Sequence, residues 1–291
     1  MLFKIPAPLI LVVFSILLAC GCQQAGSSTR KTARVIAVSG RDDDNLLLGN
    51  PSQARHETWS ADNYLIDQQY YVESYNRAKG GPNWVSWHIS ASDLGVTERL
   101  NNFRADENLP AGWFAADNNS YKRSGFDKGH NCPSGDRTGS PEANSSTFLM
   151  DNIIPQAPNN NQHTWEHLEH YCRMKVKRGN EVYVVMGSYG TGGTGKFGYR
   201  TTIAKGHITV PAHIWKVVLI LPAGDHDLAR VQAGTTVIAV DTPNDNGIAS
   251  NWMNYVCTVR DIEKATGYDL LSALPKAVQN VVEVQKFTGG N

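Results

Sequence analysis

Hydrophobic residues along the chain concentrate in short runs separated by polar, glycine-rich or proline-rich segments. Four of these runs are rich in valine, isoleucine and aromatic residues, and each predicts a β-strand: residues 84–89, 181–186, 214–221 and 235–240. Runs of this length with this composition are typical of strands that are buried in a sheet.

Two further segments predict helices. Residues 162–177 contain neither glycine nor proline and place their apolar residues at helical spacing. Thr258 and Asp261 are spaced as a capping box that opens a helix, and Gly267 is the residue at which that helix would end. Because strands and helices do not alternate regularly, the pattern predicts an α+β fold and disfavours a doubly wound parallel sheet.

The first residues have the layout of an export signal. Lys4 is the one charge among residues 1–19, and a nearly unbroken apolar run occupies residues 9–19. A helix that crosses a bilayer needs about 20 apolar residues, so this run predicts a signal peptide. The end of the run resembles a bacterial lipobox, which makes Cys20 the candidate for a lipid anchor, with Cys22 as a second candidate and plain secretion as the alternative. We therefore expect an exported protein, either a periplasmic membrane-anchored lipoprotein or a secreted one.

The rest of the chain divides into a linker and a folded region. Residues 20–45 predict a flexible tether, and residues 46–287 predict a single domain. Three cysteines lie in that domain, Cys132, Cys172 and Cys257. An oxidising compartment allows one disulfide among them, but the sequence does not choose the pair.

Composition and charge exclude one class of function. The chain has 27 Lys and Arg against 27 Asp and Glu, with 41% hydrophobic and 19% charged residues, so it has material for a core and lacks the charge of a basic nucleic-acid coat protein. Locally the balance differs, because Lys122, Arg123, Lys128 and Arg137 surround His130. A neutral total is therefore compatible with a positively charged site.

A glycine-rich segment has the spacing of a phosphate-binding loop but lacks its key hydroxyl. Residues 190–196 follow a predicted strand and end in lysine. Phe197 stands where the loop needs Ser or Thr, and the next residues are not helix-like. The segment predicts a flexible hairpin loop.

A second motif is typical of inverted zinc peptidases. His163, Glu166 and His167 match the pattern H-x-x-E-H, in which two histidines share one helix face and the glutamate acts as base. A third ligand is needed, and Glu169 and His170 are too close in sequence to supply it easily. The alternative is the solvent-facing side of an amphipathic helix.

A third set of residues suits phosphodiester hydrolysis. His130 lies between Gly129, which allows unusual backbone conformations, and Pro133, which would stop a strand, so it is expected at a strand end or in a loop. Its imidazole can accept a proton at neutral pH. Asn161 offers an oxygen suited to magnesium, and Arg173 offers a planar fork for phosphate oxygens.

The later members of this set share one spacing. Asn161, Trp165, Glu169 and Arg173 are four residues apart, so on one α-helix they form a row. Each residue also has an ordinary structural interpretation: His130 as a loop histidine, Asn161 as an N-cap, and Glu169 with Arg173 as a surface ion pair.

The segment from residue 127 to residue 130, Asp-Lys-Gly-His, resembles the D-R-G-H signature of the DNA/RNA non-specific endonucleases, whose active site is the ββα-metal (His-Me finger) motif. The similarity spans roughly residues 46–274 and is nearest to the cyanobacterial type of sugar-nonspecific nuclease. It includes further segments: residues 47–52, 62–65, 102–104, 147–150, 152–156, 160–161, 168–173, 243–245 and 266–269.

The resemblance implies a fold and roles for individual residues. The fold is a central antiparallel β-sheet flanked by helices, with a β-hairpin and a helix carrying the site. His130 corresponds to the general base, Asn161 to the protein ligand of the metal, and Glu169 to the carboxylate that orients metal-bound water. Arg99 and Arg173 correspond to arginines that contact phosphate.

Lys128 departs from the family pattern, which has arginine there; lysine keeps the charge but loses the bidentate fork. The resemblance implies an exported endonuclease that cleaves single- and double-stranded DNA and RNA with Mg²⁺, or Mn²⁺ in its place, and leaves 5′-phosphate ends. A protein inhibitor is a further expected partner. Two alternatives are a zinc metallopeptidase built on His163, Glu166 and His167, and a noncatalytic lipoprotein that binds nucleic acid.

Overall fold

The computed structural model describes residues 1–2 and 44–289. The predicted signal peptide beyond its first two residues, the lipidation candidates Cys20 and Cys22, and the tether up to residue 43 lie outside the described residues. Within the described residues, no helix combines the length and the apolar character that crossing a membrane requires.

One large antiparallel sheet organises the described region. The strands are β1 (Tyr64–Asp67), β2 (Val72–Asn76), β3 (Gly81–Ile89), β4 (Asp127–His130), β5 (Ile153–Gln156), β6 (Asn180–Tyr189), β7 (Gly193–Gly195), β8 (Gly198–Arg200), β9 (Thr202–Ile203), β10 (Ile208–Thr209), β11 (His213–Pro222), β12 (Thr236–Pro243) and β13 (Val256–Cys257). Seven of them form the sheet in the order β1-β2-β3-β6-β11-β12-β13, and every neighbouring pair is antiparallel. The four strands predicted from hydrophobic runs are confirmed as β3, β6, β11 and β12.

Helices cover both faces of the sheet. They are α1 (Pro141–Ser146), α2 (Glu166–Lys177), α3 (Asp227–Arg230), α4 (Val259–Thr266) and α5 (Lys276–Val282). The capping box predicted for α4 is present, and Gly267 ends that helix with a φ of +76°. The arrangement is α+β, as the sequence predicts.

Strand β11 shows how the two faces acquire different partners. Trp215 and Val217 belong to the core on the face that holds residues of α4 and α5, whereas Ile214 and Val218 belong to the core on the α2 face. Alternate residues of a strand point to opposite sides, so Lys216 points toward α2. A lysine therefore enters an otherwise apolar layer, and it contacts the site described below.

The helix predicted for residues 162–177 is present but differs at its start. It begins at Asn160 as a π-helix, Asn160–Trp165, and continues as α2. A π-helix closes i→i+5 hydrogen bonds and turns less per residue than an α-helix. The first step of the predicted row, from Asn161 to Trp165, therefore runs along a π-helix and not an α-helix. The N-cap interpretation of Asn161 is wrong because that residue lies inside the helix.

The predicted glycine-rich loop is confirmed as a hairpin. Strands β7 and β8 pair with each other, and the next element is strand β9, where a phosphate-binding loop would lead directly into a helix, so the segment is not such a loop. The three cysteines of the described region, Cys132, Cys172 and Cys257, are free thiols. The disulfide that the sequence allowed is therefore not formed among them.

Candidate active site

A two-stranded hairpin positions His130. It is the last residue of β4, which pairs antiparallel with β5, and it lies opposite Ile153. The turn that follows is fixed by Asn152, whose Oδ1 accepts from the Cys132 amide at 2.9 Å and whose Nδ2 donates to the Cys132 carbonyl at 2.8 Å. His130 is thus held at a strand end, as the sequence predicts.

Gly129 is needed for space rather than for an unusual φ. Its φ is not positive, so the conformational reason suggested by the sequence is wrong. A Cβ there would approach the Gln156 side chain to 2.4 Å. Glycine therefore lets β4 and β5 pack closely behind the histidine.

The His130 imidazole is buried between two phenylalanines and is electrically neutral. Its centroid lies 5.4 Å from Phe103 and 5.1 Å from Phe148. Burial first, and then Arg99 and Lys128, lower its pKa to about 3, against a smaller opposing effect of a hydrogen bond to the Lys128 backbone. Nε2 is buried without a hydrogen-bond partner. Nε2 is thus the ring nitrogen without a partner, and it is the atom at which the neutral imidazole could accept a proton.

Arg99 and Lys128 form a cationic rim around this ring. Arg99 Nη1 donates to Ser134 Oγ at 2.6 Å, and its guanidinium lies 4.9 Å from the Phe148 centroid. Lys128 Nζ lies 3.8 Å from the Phe103 centroid, and burial followed by Arg99 lowers its pKa. Among the described residues, no carboxylate lies within 4.0 Å of either cation. Their charges are therefore available to an anion.

Asn161 is oriented by the first residue of the signature. Its Nδ2 donates to Asp127 Oδ2 at 2.9 Å, and Gln162 Nε2 donates to the same oxygen at 2.8 Å. With the amide nitrogen engaged, the Asn161 oxygen is the atom left to bind a cation, and a neutral hard oxygen suits magnesium. Sequence reasoning missed the orienting role of Asp127, although it stands in the signature itself.

Glu169 and Arg173 meet on α2, as their spacing predicts. Arg173 Nη1 lies 3.8 Å from Glu169 and 3.0 Å from Asp136 Oδ1. Trp87 Nε1 donates to the other Asp136 oxygen at 3.0 Å. Gly135 leaves room for the guanidinium, because a Cβ there would come within 2.9 Å of Nη1. Glu166 Oε1 also lies 3.9 Å from Arg173 Nη2, so three carboxylates surround the arginine.

Lys216 is the functional candidate that the sequence did not single out. Its Nζ lies 3.4 Å from Glu169 Oε1 and 4.9 Å from the Trp165 centroid, and its side chain is 1% exposed. Burial raises the pKa of Glu169, whereas Lys216 and Arg173 lower it. A lone lysine within a buried strand was the signal that could have found it.

The residues of the predicted zinc motif do not converge. His163, Glu166 and His167 are exposed on the surface. Among the described residues, one group of three His, Cys, Asp or Glu side chains is close enough to share a metal: His88, Glu181 and Asp227. None of the three zinc-motif residues belongs to that group. The geometry therefore does not favour a zinc peptidase.

Arg137 also differs from its prediction. It is 2% exposed, and its guanidinium donates to the carbonyls of Tyr70 and His88, so it does not contribute to a positive surface around His130. The remaining predicted residues fall into three groups: His130, on which the charges of Arg99 and Lys128 act; Asn161, which is hydrogen-bonded to Asp127; and Glu169, which lies within 4.0 Å of Arg173 and Lys216.

Comparison with known proteins identifies the family of the chain. The profile of the family described as "DNA/RNA non-specific endonuclease" matches residues 49–277. A nuclease of Nostoc sp. is 44% identical over 239 residues, which cover 82% of this chain and 84% of that protein. Nuclease C1 of Cunninghamella echinulata is 31% identical over 237 residues, covering 79% of this chain and 88% of that protein.

The fold agrees as well. A solved structure, "Crystal structure of the EndoG/EndoGI complex: Mechanism of EndoG inhibition", superposes with a TM-score of 0.64 at 23% identity, covering 80% of this chain and 91% of that one. Together with the family profile and the 44% identical nuclease, this match confirms the predicted resemblance. The chain belongs to the DNA/RNA non-specific endonuclease family and is a nuclease.

Proposed function

We propose that the protein is an exported, sugar-nonspecific endonuclease that hydrolyses phosphodiester bonds of single- and double-stranded DNA and RNA and leaves 5′-phosphate ends. One observation carries the assignment of its chemistry. A buried neutral imidazole with an unpartnered Nε2 lies beside two cations that have no carboxylate within 4.0 Å among the described residues. Such a pocket attracts a phosphodiester and supplies a base beside it.

His130 begins the reaction by taking a proton from water at Nε2. The water oxygen attacks phosphorus in line with O3′, and the P–O3′ bond breaks. The departing O3′ takes up a proton from bulk water, and His130 returns the proton it accepted to bulk water. Arg99 and Lys128 offset the charge that accumulates on the phosphate oxygens, and their fixed positions avoid the reorganisation that water would require. Arg173, held by Asp136 and Glu169, supplies a third cation.

Magnesium, or manganese in its place, fits the donors present. The Asn161 amide oxygen would hold the ion, and Glu169 would fix its hydration. The bound ion supplies Lewis-acid stabilisation of the phosphate. Asp127 and Lys216 act as positioning residues, because they fix the Asn161 amide and the Glu169 carboxylate respectively.

Indifference to sugar and sequence follows from the kind of groups in the site. Arginine, lysine and a hydrated metal bind phosphates, which are the same in every nucleotide, and phosphate contacts carry no direct sequence information. The export signal, the lipid anchor at Cys20 and a protein inhibitor that guards the producing cell complete the proposal. The structurally similar EndoG supports the expectation of an inhibitor, because its structure is described as that of the EndoG/EndoGI complex and of the mechanism of EndoG inhibition.

Plasmid nicking and RNA degradation with Mg²⁺, each repeated with EDTA, test the function. We expect that both substrates are cleaved, that EDTA stops cleavage and that His130→Ala is inactive. His167→Ala is the matched control, because His167 is exposed and belongs to the zinc alternative. Cleavage of casein that depends on His167 would support the peptidase, and binding of nucleic acid without cleavage would support the noncatalytic lipoprotein.

A further inference from the structure

A cationic depression lies next to the catalytic hairpin. Its volume is about 530 Å³, and it is bounded by the turn that leads toward β4 and by the segment from β8 to the turn before β10. Four basic residues line it, and none of its lining residues is acidic: Lys122, Arg123, Arg200 and Lys205. We call these four residues the basic depression.

The charges of the basic depression are not balanced locally. All four side chains are exposed, and among the described residues none has a carboxylate within 4.0 Å. Arg200 is fixed by a hydrogen bond from Nε to the Ser124 carbonyl at 3.2 Å. A concave surface lined by like charges concentrates potential and attracts polyanions. The depression is therefore suited to a phosphate backbone.

An exposed aromatic ring stands beside the depression. Phe197, in the turn between β7 and β8, is 60% exposed. Its backbone and ring lie against Gly125, where a Cβ would approach ring atom Cδ2 to 3.1 Å. The Lys196 amide donates to the Gly125 carbonyl at 2.8 Å, which attaches the hairpin to the turn beside Ser124. An exposed ring next to a cationic groove is the arrangement on which unpaired bases stack.

The same turn leads directly into the catalytic strand. Ser124 lines the depression, and His130 is six residues later. Six residues span at most about 20 Å when fully extended. One strand of nucleic acid could therefore occupy the depression and the active site at once.

We propose that the basic depression and Phe197 form an accessory site that binds single-stranded nucleic acid a few nucleotides from the bond being cut. This inference rests on the proposed function, and it adds a substrate preference: long single strands bind better than short oligonucleotides or duplexes. The four cations hold phosphates, and Phe197 stacks on a base, which is possible only where the base is unpaired.

Steady-state cleavage of a 20-nucleotide single strand and of a tetranucleotide tests the site. In Lys122→Ser/Arg123→Ser/Lys205→Ser, we expect KM for the 20-mer to rise at least tenfold, with kcat and all tetranucleotide parameters unchanged. Three lost phosphate contacts should also reduce the salt dependence of log KM by about 2, at about 0.7 per contact. Phe197→Ala should raise KM for the 20-mer about fivefold or more.

Two control variants match the test variants in residue type. Tyr199→Ala removes an exposed ring from the same hairpin, and this ring packs on Gly192. Because neighbouring residues of a strand point to opposite faces, the Tyr199 ring lies away from Arg200. Lys264→Ser removes an exposed lysine from α4. Both should leave KM for the 20-mer unchanged.

Each outcome decides one part of the proposal. Unchanged KM in the triple variant would overturn the accessory site while leaving the nuclease assignment intact. An equal rise in KM for a 20-base-pair duplex in Phe197→Ala would overturn the preference for single strands. Fluorescence anisotropy with the labelled 20-mer in EDTA measures the same binding without cleavage. If the wild type cleaves nothing, the proposed function is overturned, and the anisotropy measurement still shows whether the accessory site binds the 20-mer.

Discussion

Two clusters in this protein each place a buried histidine near cationic side chains, and they differ in whether the charged groups are paired. In the first, which we call the paired cluster, His88 Nε2 lies 3.1 Å from Glu181, and Arg230 contacts both Glu181 and Asp227. Tyr183 donates to Asp227 as well. Both carboxylates there have a cationic partner.

The second cluster surrounds His130, and its charges are incompletely paired. His130 Nε2 has no partner, and neither Arg99 nor Lys128 has a carboxylate within 4.0 Å among the described residues. The paired cluster has the ligand spacing of a metal site, yet a guanidinium already occupies its carboxylates. Ligand spacing alone is therefore a poor guide to a functional site, and the unpaired groups around His130 are what make that cluster the candidate.

The largest expected effect separates the two histidines by activity. His130→Ala should lower kcat on plasmid DNA by about 10² to 10⁴-fold, because the general base is lost. His88→Ala should keep kcat near wild type at a temperature at which it is folded. Cleavage assays with circular dichroism to verify folding make the comparison. Equal losses in both variants would mean that the two clusters do not differ in function.

Loss of Arg230 from the paired cluster should destabilise the fold more than loss of Arg99 from the His130 cluster. Arg230→Ala should lower the free energy of unfolding by about 3 kcal/mol, because it leaves buried carboxylates without their cation. Arg99→Ala removes a cation that has no carboxylate within 4.0 Å among the described residues, and it should change that free energy by no more than about 1 kcal/mol. Urea unfolding at pH 7 measures both. A cost for Arg99→Ala as large as that for Arg230→Ala would contradict the contrast.

The pH dependence of stability tests whether His130 is neutral in the free enzyme. Its folded pKa of about 3 lies below the ordinary value of 6.5, so the unfolded chain binds more protons between these values and stability falls as pH falls. From pH 7 to pH 5 this group should cost about 2 kcal/mol, at about 1.4 kcal/mol per pKa unit. Urea unfolding of wild type and His130→Ala at both pH values should show that difference. Identical losses in the two proteins would show that the imidazole is not held neutral.

Metal affinity should depend on the residues around Asn161 and not on the paired cluster. Asp127→Ala frees the Asn161 amide to rotate and should weaken Mg²⁺ binding about tenfold or more. Glu181→Gln changes a carboxylate of the paired cluster and should leave Mg²⁺ affinity unchanged. Calorimetric titration of each variant with MgCl₂ measures the Mg²⁺ affinity. Weaker binding in Glu181→Gln alone would mean that the metal binds at the paired cluster instead.

The smallest effect concerns the departure from the family pattern. Lys128→Arg keeps the charge and adds a bidentate fork, so we expect kcat/KM equal to wild type or a few-fold higher. Lys128 now donates to Asn118 and lies on the Phe103 ring. Single-turnover cleavage of a short oligonucleotide measures the change. A collapse of activity would mean that the pocket around His130 is built for lysine.

Local patterns accounted for much of the fold and for most candidate site residues. The hydrophobic runs predicted β3, β6, β11 and β12 because the alternation and composition of a strand are properties of consecutive residues. The capping box of α4 was predictable for the same reason, and so was the contact between Glu169 and Arg173, which are one helical turn apart. The position of His130 at a strand end also followed from its neighbours.

Contacts between distant segments were not predictable in this way. Lys216 lies 47 residues from Glu169, and Asp136 lies 37 residues from Arg173, so no local pattern links either pair. Arg137 was expected on the surface because charged residues are rarely buried, yet three carbonyl acceptors in the core hold it.

The sequence by itself determined the strands, the helix caps, the signature around His130 and the family to which they belong, because each depends on residues near one another in the chain. Tertiary structure alone decided which charges are paired and which are left for a substrate. The pairing of charges depends on burial and on distances between segments that come together only when the chain packs. It sets the pKa of His130, orients Asn161 through Asp127, and places Lys216 against Glu169.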